Sequence, residues 1–596
     1  MAQKALLNPV IALVFSFTAV LVIMASSFVA GKAACKPTDR GPIIPTTPLV
    51  TFLELVQKTA YKTYGHKGFD PKLYVDLSLK NNLSITVQEF HELPRTENGS
   101  VPVKELNSFI EEHFGDVEED LMHVNPVDFV PEPKDFLPKV KSPEMRAWAL
   151  EVHSLWNNLS RKVSKGVFHK PDYHTLLPLK SPVIIPGSRF REVYYWDSYW
   201  VIRGLLASKM YDTAKGIVYN LISLIDEFGY VLNGARAYYT NRSQPPLLSS
   251  MVTDIYNRTG DKELAAKSLP ALLKEHEFWN SGIHKVIIKD GEGSSHALSR
   301  YYAMWNKPRP ESSTTDRETA SKLSNTCEKK QLYRELGSTA ESGWDFSTRW
   351  MRNAFDLTTL ATTSIIPVDL NAFILKMELD ISSLAHSIGD SDTSERFRNA
   401  SEARKKAITS ILWNAEMGQW VDYWLGNSND VITLNGSSQK KKIFASNFVP
   451  LWIQPFASGL ESSDAKIVDK VISSLQNSGL VHSAGIATSL ANSGQQWDFP
   501  NGWAPLQHMI VEGLVRCGSE KALAIAQETA VKWIRTNYVA FKKTGTMHEK
   551  YDIRKCGDIG GGGEYAPQTG FGWSNGVVLV FLEEFGWPKE LKLDCP

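Results

Sequence analysis

The feature that most constrains the fold of this chain is the helical spacing of its apolar residues. Ahead of Gly389, they step by three and four positions: Leu370, Phe373, Ile374, Met377, Ile381, Leu384, Ala385 and Ile388. The same spacing ends at Gly229 and recurs from Ala522 to Trp533. Such periodicity predicts amphipathic helices, and a glycine directly after the run is a typical helix end. Because strand-like alternation is scarce and short, we predict an all-α chain.

The organisation of these helices follows from their single apolar faces. Such helices must pack in layers, and two concentric layers are a natural closed arrangement for this many. Periodicity alone predicts no more than a large all-α domain. Because the chain shows neither a sequence repeat nor an internal linker, we predict one soluble domain over residues 49–596. Residues 49–180 are expected to form an N-terminal extension packed on the helical body.

Composition excludes several classes of function. Lys and Arg together number 65, as do Asp and Glu, so nothing favours nucleic acid or a polybasic membrane surface. The five cysteines lack CxxC and CxxxC spacing, which argues against a zinc site. The glycine run at residues 560–563 lacks the Lys-Ser/Thr that follows in a phosphate-binding loop. Composition and spacing therefore argue against nucleic-acid binding, a zinc site and a phosphate-binding loop.

The N-terminus contains an uncharged segment at residues 9–30, long enough to span a bilayer. We predict a cytosolic tail and signal anchor over residues 1–31, followed by a Pro/Thr-rich tether over residues 32–48. A cleaved signal peptide is the alternative.

Two features give opposite indications for the orientation of this anchor. Lys4 precedes the segment and Lys32, Lys36 and Arg40 follow it, which favours a cytosolic catalytic part. Passage through the secretory route is favoured by seven Asn-x-Ser/Thr sequons, at Asn82, Asn98, Asn158, Asn241, Asn257, Asn399 and Asn435. We predict the lumenal or extracellular orientation.

Two blocks carry most of the functional information: PGSRFREVYYWDSY at Pro186–Tyr199 and QWDFPNGWAP at Gln496–Pro505. Each combines aromatic rings, carboxylates and chain-turning Pro or Gly. Rings cover the apolar faces of a pyranose, and charged side chains bind its hydroxyls. The mixture therefore indicates a sugar site.

Both blocks resemble the signature sequences of trehalases, glycoside hydrolase family 37, except that Ser188 stands where the first signature usually has a second Gly. The resemblance runs from about Leu49 to the C-terminus. It implies an (α/α)6 toroid with a central site that hydrolyses α,α-trehalose to two glucose with inversion, without a metal or cofactor. Similarity to plant trehalases implies a single-pass type II protein of the cell membrane, with its catalytic domain extracellular.

Hydrolysis of a glycosidic bond needs a carboxylic acid and a carboxylate on opposite sides of the anomeric carbon. Asp345 lies between Trp344 and Phe346, so partial desolvation would raise its pKa. From the residues alone, an N-cap of the helix that follows is the favoured interpretation of Asp345. The resemblance implies that it is the general acid.

The general base has two candidates. From the residues alone Glu549 is an exposed side chain beside Lys550, whereas Glu564 follows four glycines that permit close backbone approach. The resemblance assigns the base to Glu549 and substrate binding to Glu564.

The resemblance also implies the residues that contact substrate: Arg189, Trp196, Asp197, Asn233, Arg242, Ser243, Gln244, Arg309, Glu311, Gly343 and Glu564. Arginine suits this task because its fork can hold two vicinal hydroxyls or orient a carboxylate. For Asp498, Trp497 and Trp503 both structural support and direct contact remain open.

Two other functions are compatible with the motifs: an α-toroid glucosidase acting on a different disaccharide, and a membrane-anchored trehalose sensor without turnover. Because both Asp345 and Glu549 are present, the sequence favours an enzyme over a sensor.

Overall fold

The computed structural model describes residues 41–65, 68–426, 432–433, 438–453, 456 and 462–595. The predicted anchor at residues 9–30 and the sequon at Asn435 lie outside these ranges. Within them, no helix combines the length and apolarity that crossing a bilayer requires.

The fold is helix-rich. In the first third of the chain the helices are α1 (Pro48–Tyr64), α2 (Pro71–Val75), α3 (Leu83–Glu92), α4 (Val103–His113), α5 (Pro143–Leu159), α6 (Lys165–His169) and α7 (Asp197–Ala207). The others are α8 (Tyr211–Phe228), α9 (Leu248–Thr259), α10 (Lys262–Asn280), α11 (Ser313–Ser321), α12 (Thr326–Glu341), α13 (Val368–Ser387), α14 (Ser391–Ala407), α15 (Ser462–Asn477), α16 (Ala504–Arg516), α17 (Glu520–Thr544) and α18 (Gly572–Phe585).

The described helices form two layers. In the inner layer α7, α9, α13, a 3-10 helix at Ala445–Trp452, α16 and α18 each contact the next, and α18 contacts α7, so the ring closes. Each inner segment also packs against an outer helix: α8, α10, α14, α15, α17 and α5, respectively. The described helices therefore pack as an inner ring and an outer layer, as expected for helices that each have one apolar face.

Helix ends follow local sequence signals. Helix α8 ends where Gly229 adopts a φ of 86° and its N–H donates to the Ile225 carbonyl. The long helix α17 begins at Ser519, whose side chain accepts from the backbone of Ala522, and ends at Gly545 with a φ of 72°. Glycine supplies these left-handed caps without a Cβ penalty.

Short strands connect the helical segments. They are β1 (Leu121–His123), β2 (Ser160–Val163), β3 (Val183–Ile184), β4 (Lys285–Lys289), β5 (Ser295–Ser299), β6 (Ile365–Ile366), β7 (Trp413–Asn414), β8 (Gln419–Trp420), β9 (Tyr423–Trp424), β10 (Ile432–Thr433), β11 (Asn501–Trp503) and β12 (Lys550–Asp552). Strands β11 and β12 pair antiparallel with Trp503 opposite Lys550. This pair joins the second signature block to the segment that carries Glu549.

The predicted N-terminal extension divides into two parts. Helices α1–α4 contribute to a small separate core, which is completed by side chains such as Tyr194, Tyr238 and Tyr239. Helix α5 instead belongs to the main core and is the outer partner of α18. The boundary at residue 180 stays a prediction.

Helices α7 and α18 pack closely through two glycines. A Cβ at Gly576 would overlap the carbonyl oxygen of Trp200, and a Cβ at Gly204 would lie 2.5 Å from the Gly576 Cα. This contact closes the inner ring, so glycine is required on both helices.

We expect Gly576→Ala to lower the free energy of unfolding by about 1–3 kcal/mol, because backbone atoms cannot move aside as a side chain can. Urea unfolding followed by tryptophan fluorescence measures the change. Gly291→Ala is the matched control, since a Cβ there meets nothing within 4 Å. Equal stability of the two variants would contradict the close approach.

Candidate functional site

The two signature blocks and the segments around Asp345, Glu549 and Glu564 meet at one cavity of about 690 Å³. Its wall combines tryptophan and tyrosine rings with arginines and carboxyl groups. This lining, in which a few polar groups lie among aromatic rings, is typical of a site for a small polar molecule.

Asp345 follows the end of helix α12. Gly343 has a φ of 74°, and a Cβ there would lie 2.7 Å from the Trp196 ring, so only glycine allows this turn. The Asp345 carbonyl accepts a 2.6 Å hydrogen bond from Gln496 Nε2. The alternative that Asp345 caps the following helix is wrong, because Ser347 occupies that position and accepts from the Arg349 N–H.

The Asp345 carboxyl group faces the cavity, where 30% of its side chain stays exposed. Burial raises its pKa to about 7, although Arg309, with Nη1 3.7 Å away, acts in the opposite direction. The group is thus able to carry a proton near neutral pH, as a general acid requires.

Glu549 precedes strand β12 and is only 2% exposed, so the expectation from the residues alone, an exposed glutamate, is wrong. Tyr565 donates a 2.8 Å hydrogen bond to Oε1, and Lys550 Nζ lies 3.1 Å from Oε2. Each Glu549 oxygen thus lies within hydrogen-bond distance of a donor.

A chain of hydrogen bonds connects these two acids. Lys550 Nζ donates to Gln496 Oε1 at 2.9 Å as well as to Glu549, and Gln496 Nε2 donates to the Asp345 carbonyl. Lys550 is fully buried on β12, where its ammonium lies 5.0 Å from the centre of the Trp503 ring. Glu549 is thus connected to the backbone of Asp345 through Lys550 and Gln496.

Arg309 and Glu564 form a second charged group on the wall. Arg309 Nη2 donates to Asp316 Oδ1 at 2.7 Å and to Glu564 Oε1 at 3.0 Å, and Ser312 Oγ donates to Glu564 Oε2 at 3.2 Å. Burial raises the pKa of Glu564, and Arg309 opposes that shift. Arg309 and Ser312 together thus fix both carboxyl oxygens of Glu564 on the cavity wall.

Asp197, the first residue of α7, is a third carboxyl group near the two acids. Burial raises its pKa to about 8, helped by the negative charges of Glu549 and Asp345. At neutral pH this group is mostly protonated and can donate a hydrogen bond into the cavity.

Stacked indole rings line the same cavity. Trp497 lies parallel to Trp503 at 4.0 Å and to Trp344 at 5.4 Å between ring centroids. Trp497 and Trp503 reach the wall, as does Trp196. The second signature block thus supplies an apolar surface for a sugar ring.

Asp498 has a structural role. Its fully buried carboxylate accepts hydrogen bonds from Ser489, Ser493, Ser347 and the backbone and hydroxyl of Thr348. It does not line the cavity. Asp498 therefore fixes the segment after Asp345 against the second signature block.

The structure brings nearly all predicted site residues to the cavity wall. They are Asp345, Glu549, Arg189, Trp196, Asp197, Asn233, Arg242, Gln244, Arg309, Glu311, Gly343 and Glu564. Ser243 is the exception: its hydroxyl donates to the Val231 carbonyl at 2.6 Å and does not line the cavity.

Several contributors were not predicted. Gln496 is the first residue of the second signature block and Tyr565 directly follows Glu564, so their proximity to predicted site residues in the sequence could have indicated them. Asp70 and Asp316 hold arginines of the wall, but no pattern in the sequence indicates those pairs.

Across the described ranges, no group of His, Cys, Asp and Glu side chains could hold a metal ion.

The Trehalase family model matches residues 66–586. The chain belongs to the trehalase family. It is 57% identical over 562 residues to the trehalase of Arabidopsis thaliana, covering 94% of this chain and 89% of that protein. It is 38% identical over 521 residues to the human trehalase, covering 87% of this chain and 86% of that one.

The family assignment extends to a solved structure. The neutral trehalase of Saccharomyces cerevisiae is 27% identical, with a TM-score of 0.52 over 67% of this chain and 73% of that one. The chain is therefore a glycoside hydrolase.

The glycines before Glu564 differ in whether a side chain would fit in their place. Gly563 has a φ of 91°, and a Cβ there would lie 2.8 Å from Gln496 Oε1. At Gly561 a Cβ would meet nothing within 4 Å, and its φ is not positive. The run thus allows close approach to Gln496, the residue that contacts Asp345 and Lys550.

We expect Gly563→Ala to lower kcat/KM at least tenfold, on the order of the loss caused by a small misplacement in an active site, because the strain displaces Gln496 and with it its contacts to Asp345 and Lys550. Gly561→Ala should stay close to wild type. Steady-state kinetics of the two variants make the comparison, and equal values for both would mean that the run is only a spacer.

Proposed function

We propose that this protein hydrolyses α,α-trehalose to two glucose molecules, with Asp345 as the general acid and Glu549 as the general base. The observation that carries this assignment is the opposite environment of the two groups in one cavity. Burial raises the pKa of Asp345 to about 7, whereas Glu549 accepts hydrogen bonds from Lys550 and Tyr565. The similarity to named trehalases supports the choice of substrate.

The mechanism needs two proton transfers, one on each side of the anomeric carbon that is attacked. Protonated Asp345 gives its proton to the oxygen between the two sugars as the bond from that oxygen to the anomeric carbon breaks. Glu549 takes a proton from the water that attacks the same carbon from the opposite face. Inversion makes the attacked ring β-glucose, and the departing ring stays α-glucose.

The remaining wall residues suit the recognition of hydroxyl groups. Glu311 accepts from Arg242 through Oε1 and has no protein partner at Oε2 among the described residues. Burial raises the pKa of Glu311, but Arg242 and Arg309 outweigh it and hold that pKa below its usual value. The free oxygen of the Glu311 carboxylate is therefore able to accept a hydrogen bond from a sugar hydroxyl.

We further infer that the ring of helices around the cavity is an (α/α)6 toroid.

We expect Asp345→Asn and Glu549→Gln each to lower kcat at least about a hundredfold, the usual scale for loss of a general acid or base. Glucose release from trehalose, with maltose and sucrose as control substrates, is the measurement. Glu416→Gln removes an exposed carboxylate and should leave activity unchanged. Wild-type turnover by either active-site variant would remove that residue from its role.

The pH profile provides a second check. Because Asp345 must be protonated, kcat/KM of the wild type should fall as pH rises through about 7. NMR at early times should show α- and β-glucose in equal amounts if the mechanism inverts. Preference for maltose or sucrose would favour a different glucosidase, and binding of trehalose without glucose release would favour a sensor.

We further propose that the chain is a single-pass type II protein of the cell membrane, anchored by residues 9–30 with the catalytic domain outside. Five sequon asparagines are exposed: Asn82, Asn98, Asn158, Asn257 and Asn399. Asn241 is fully buried. Cys556 and Cys595 form a disulfide, which is typical of oxidising compartments.

For this location we expect an endoglycosidase that removes N-glycans to increase gel mobility of the full chain made in a secretory-competent cell. Asn399→Gln should abolish part of that shift, whereas Asn241→Gln should not change it. Protease added to intact cells should digest the catalytic domain. Unchanged mobility together with protection from the protease would show that the orientation is wrong.

A further inference from the structure

Three arginines line the cavity, and each is held by a carboxylate. Arg242 Nη2 donates to Glu311 at 2.5 Å and Arg309 Nη2 to Asp316 at 2.7 Å. Arg189 makes two parallel bonds to Asp70: Nε to Oδ2 at 3.0 Å and Nη2 to Oδ1 at 2.9 Å. Asp70 differs from the other two carboxylates because it precedes α2, in the N-terminal segment outside the helical ring.

The contact with Asp70 uses the Nε and Nη2 atoms of Arg189 and does not use Nη1. Among the described residues its Nη1 has no hydrogen-bond partner, while the Tyr565 ring lies 5.2 Å from the guanidinium. A flexible side chain fixed by a two-point contact has already lost much of the freedom that substrate binding would remove. Nη1 is thus kept available to donate to a ligand.

The segment that carries Asp70 is itself fixed to the first signature block. Lys72 Nζ donates to Asp76 at 2.7 Å and to Glu192 at 3.0 Å, and Arg236 Nε donates to the same Glu192 at 2.6 Å. All four of these charged groups are buried. Asp70 therefore reaches Arg189 from a rigid position.

We propose that Asp70 is a positioning residue for hydrolysis: it orients Arg189 toward the sugar, so the N-terminal segment completes the substrate site. This inference rests on the proposed function. Asp70 also caps α2, since Oδ1 accepts from the Lys72 backbone at 2.9 Å. Asparagine caps a helix as well as aspartate does, but it cannot make the charged two-point contact, so Asp70→Asn separates the two roles.

The test uses the purified full chain and trehalose. Asp70→Asn should lower kcat/KM about tenfold or more, as expected for the loss of a charge-assisted pair, with an unchanged melting temperature. Asp116→Asn is the matched control, because Asp116 caps a short helix in the same segment without an arginine partner. That control should keep wild-type kinetics.

A double-mutant cycle adds a readout that a structural role would not affect. If Asp70 acts through Arg189, then Asp70→Asn should cause no further loss in the Arg189→Lys background. Additive losses, wild-type kcat/KM in Asp70→Asn, or a loss that only follows a lower melting temperature would overturn the inference.

Measurements of trehalose binding and glucose release by the wild type test the proposed function separately. A wild type that binds trehalose in calorimetry but releases no glucose would refute hydrolysis, and the effect of Asp70→Asn on Kd would then decide the role of Asp70. A wild type that does not bind trehalose would overturn both proposals. An active wild type with unaffected Asp70→Asn overturns only this inference.

Discussion

The active site depends on the buried guanidinium of Arg309. It contacts Asp316 and Glu564, and its Nη1 lies 3.7 Å from the Asp345 carboxyl group. Without this positive charge, three acids would lie in protein interior with less compensation, which is strongly unfavourable. Arg309 therefore limits the increase that burial causes in the pKa of Asp345, and it fixes the end of the glycine run at Glu564.

The segments next to Asp345 are held instead by hydrogen bonds from neutral donors to a single buried carboxyl group, that of Asp498. Asp498 accepts from the Ser347 and Ser489 hydroxyls and from the Thr348 backbone, and strand β11 pairs with β12, which begins at Lys550. Five donors around one buried carboxylate satisfy its lone pairs and define a single geometry. Charged contacts thus tune the groups that face the cavity, whereas Asp498 holds the loops that carry them.

Much of the fold follows from local signals. The run that ends at Gly389 predicted a helix, observed as α13, and Gly229 ends α8 as expected. The site was predictable where chemistry-bearing residues cluster in one motif. Asp70 was not, because it lies 119 positions from Arg189 and the pairing exists only in the folded chain. Ser243 illustrates the opposite error: it adjoins Arg242 in sequence, but its hydroxyl bonds to the Val231 carbonyl instead of reaching the cavity.

The raised pKa values have a consequence for stability. Asp345 and Asp197 have folded-state pKa values of about 7 and about 8, above the ordinary value of 3.8. As pH rises through this range, the unfolded chain releases protons that these two groups retain in the folded chain, so the contribution of Asp345 and Asp197 to the free energy of unfolding decreases up to about pH 8. A cavity that keeps an acid protonated at neutral pH is therefore destabilising at that pH. Such an opposition between stability and activity is common at catalytic sites.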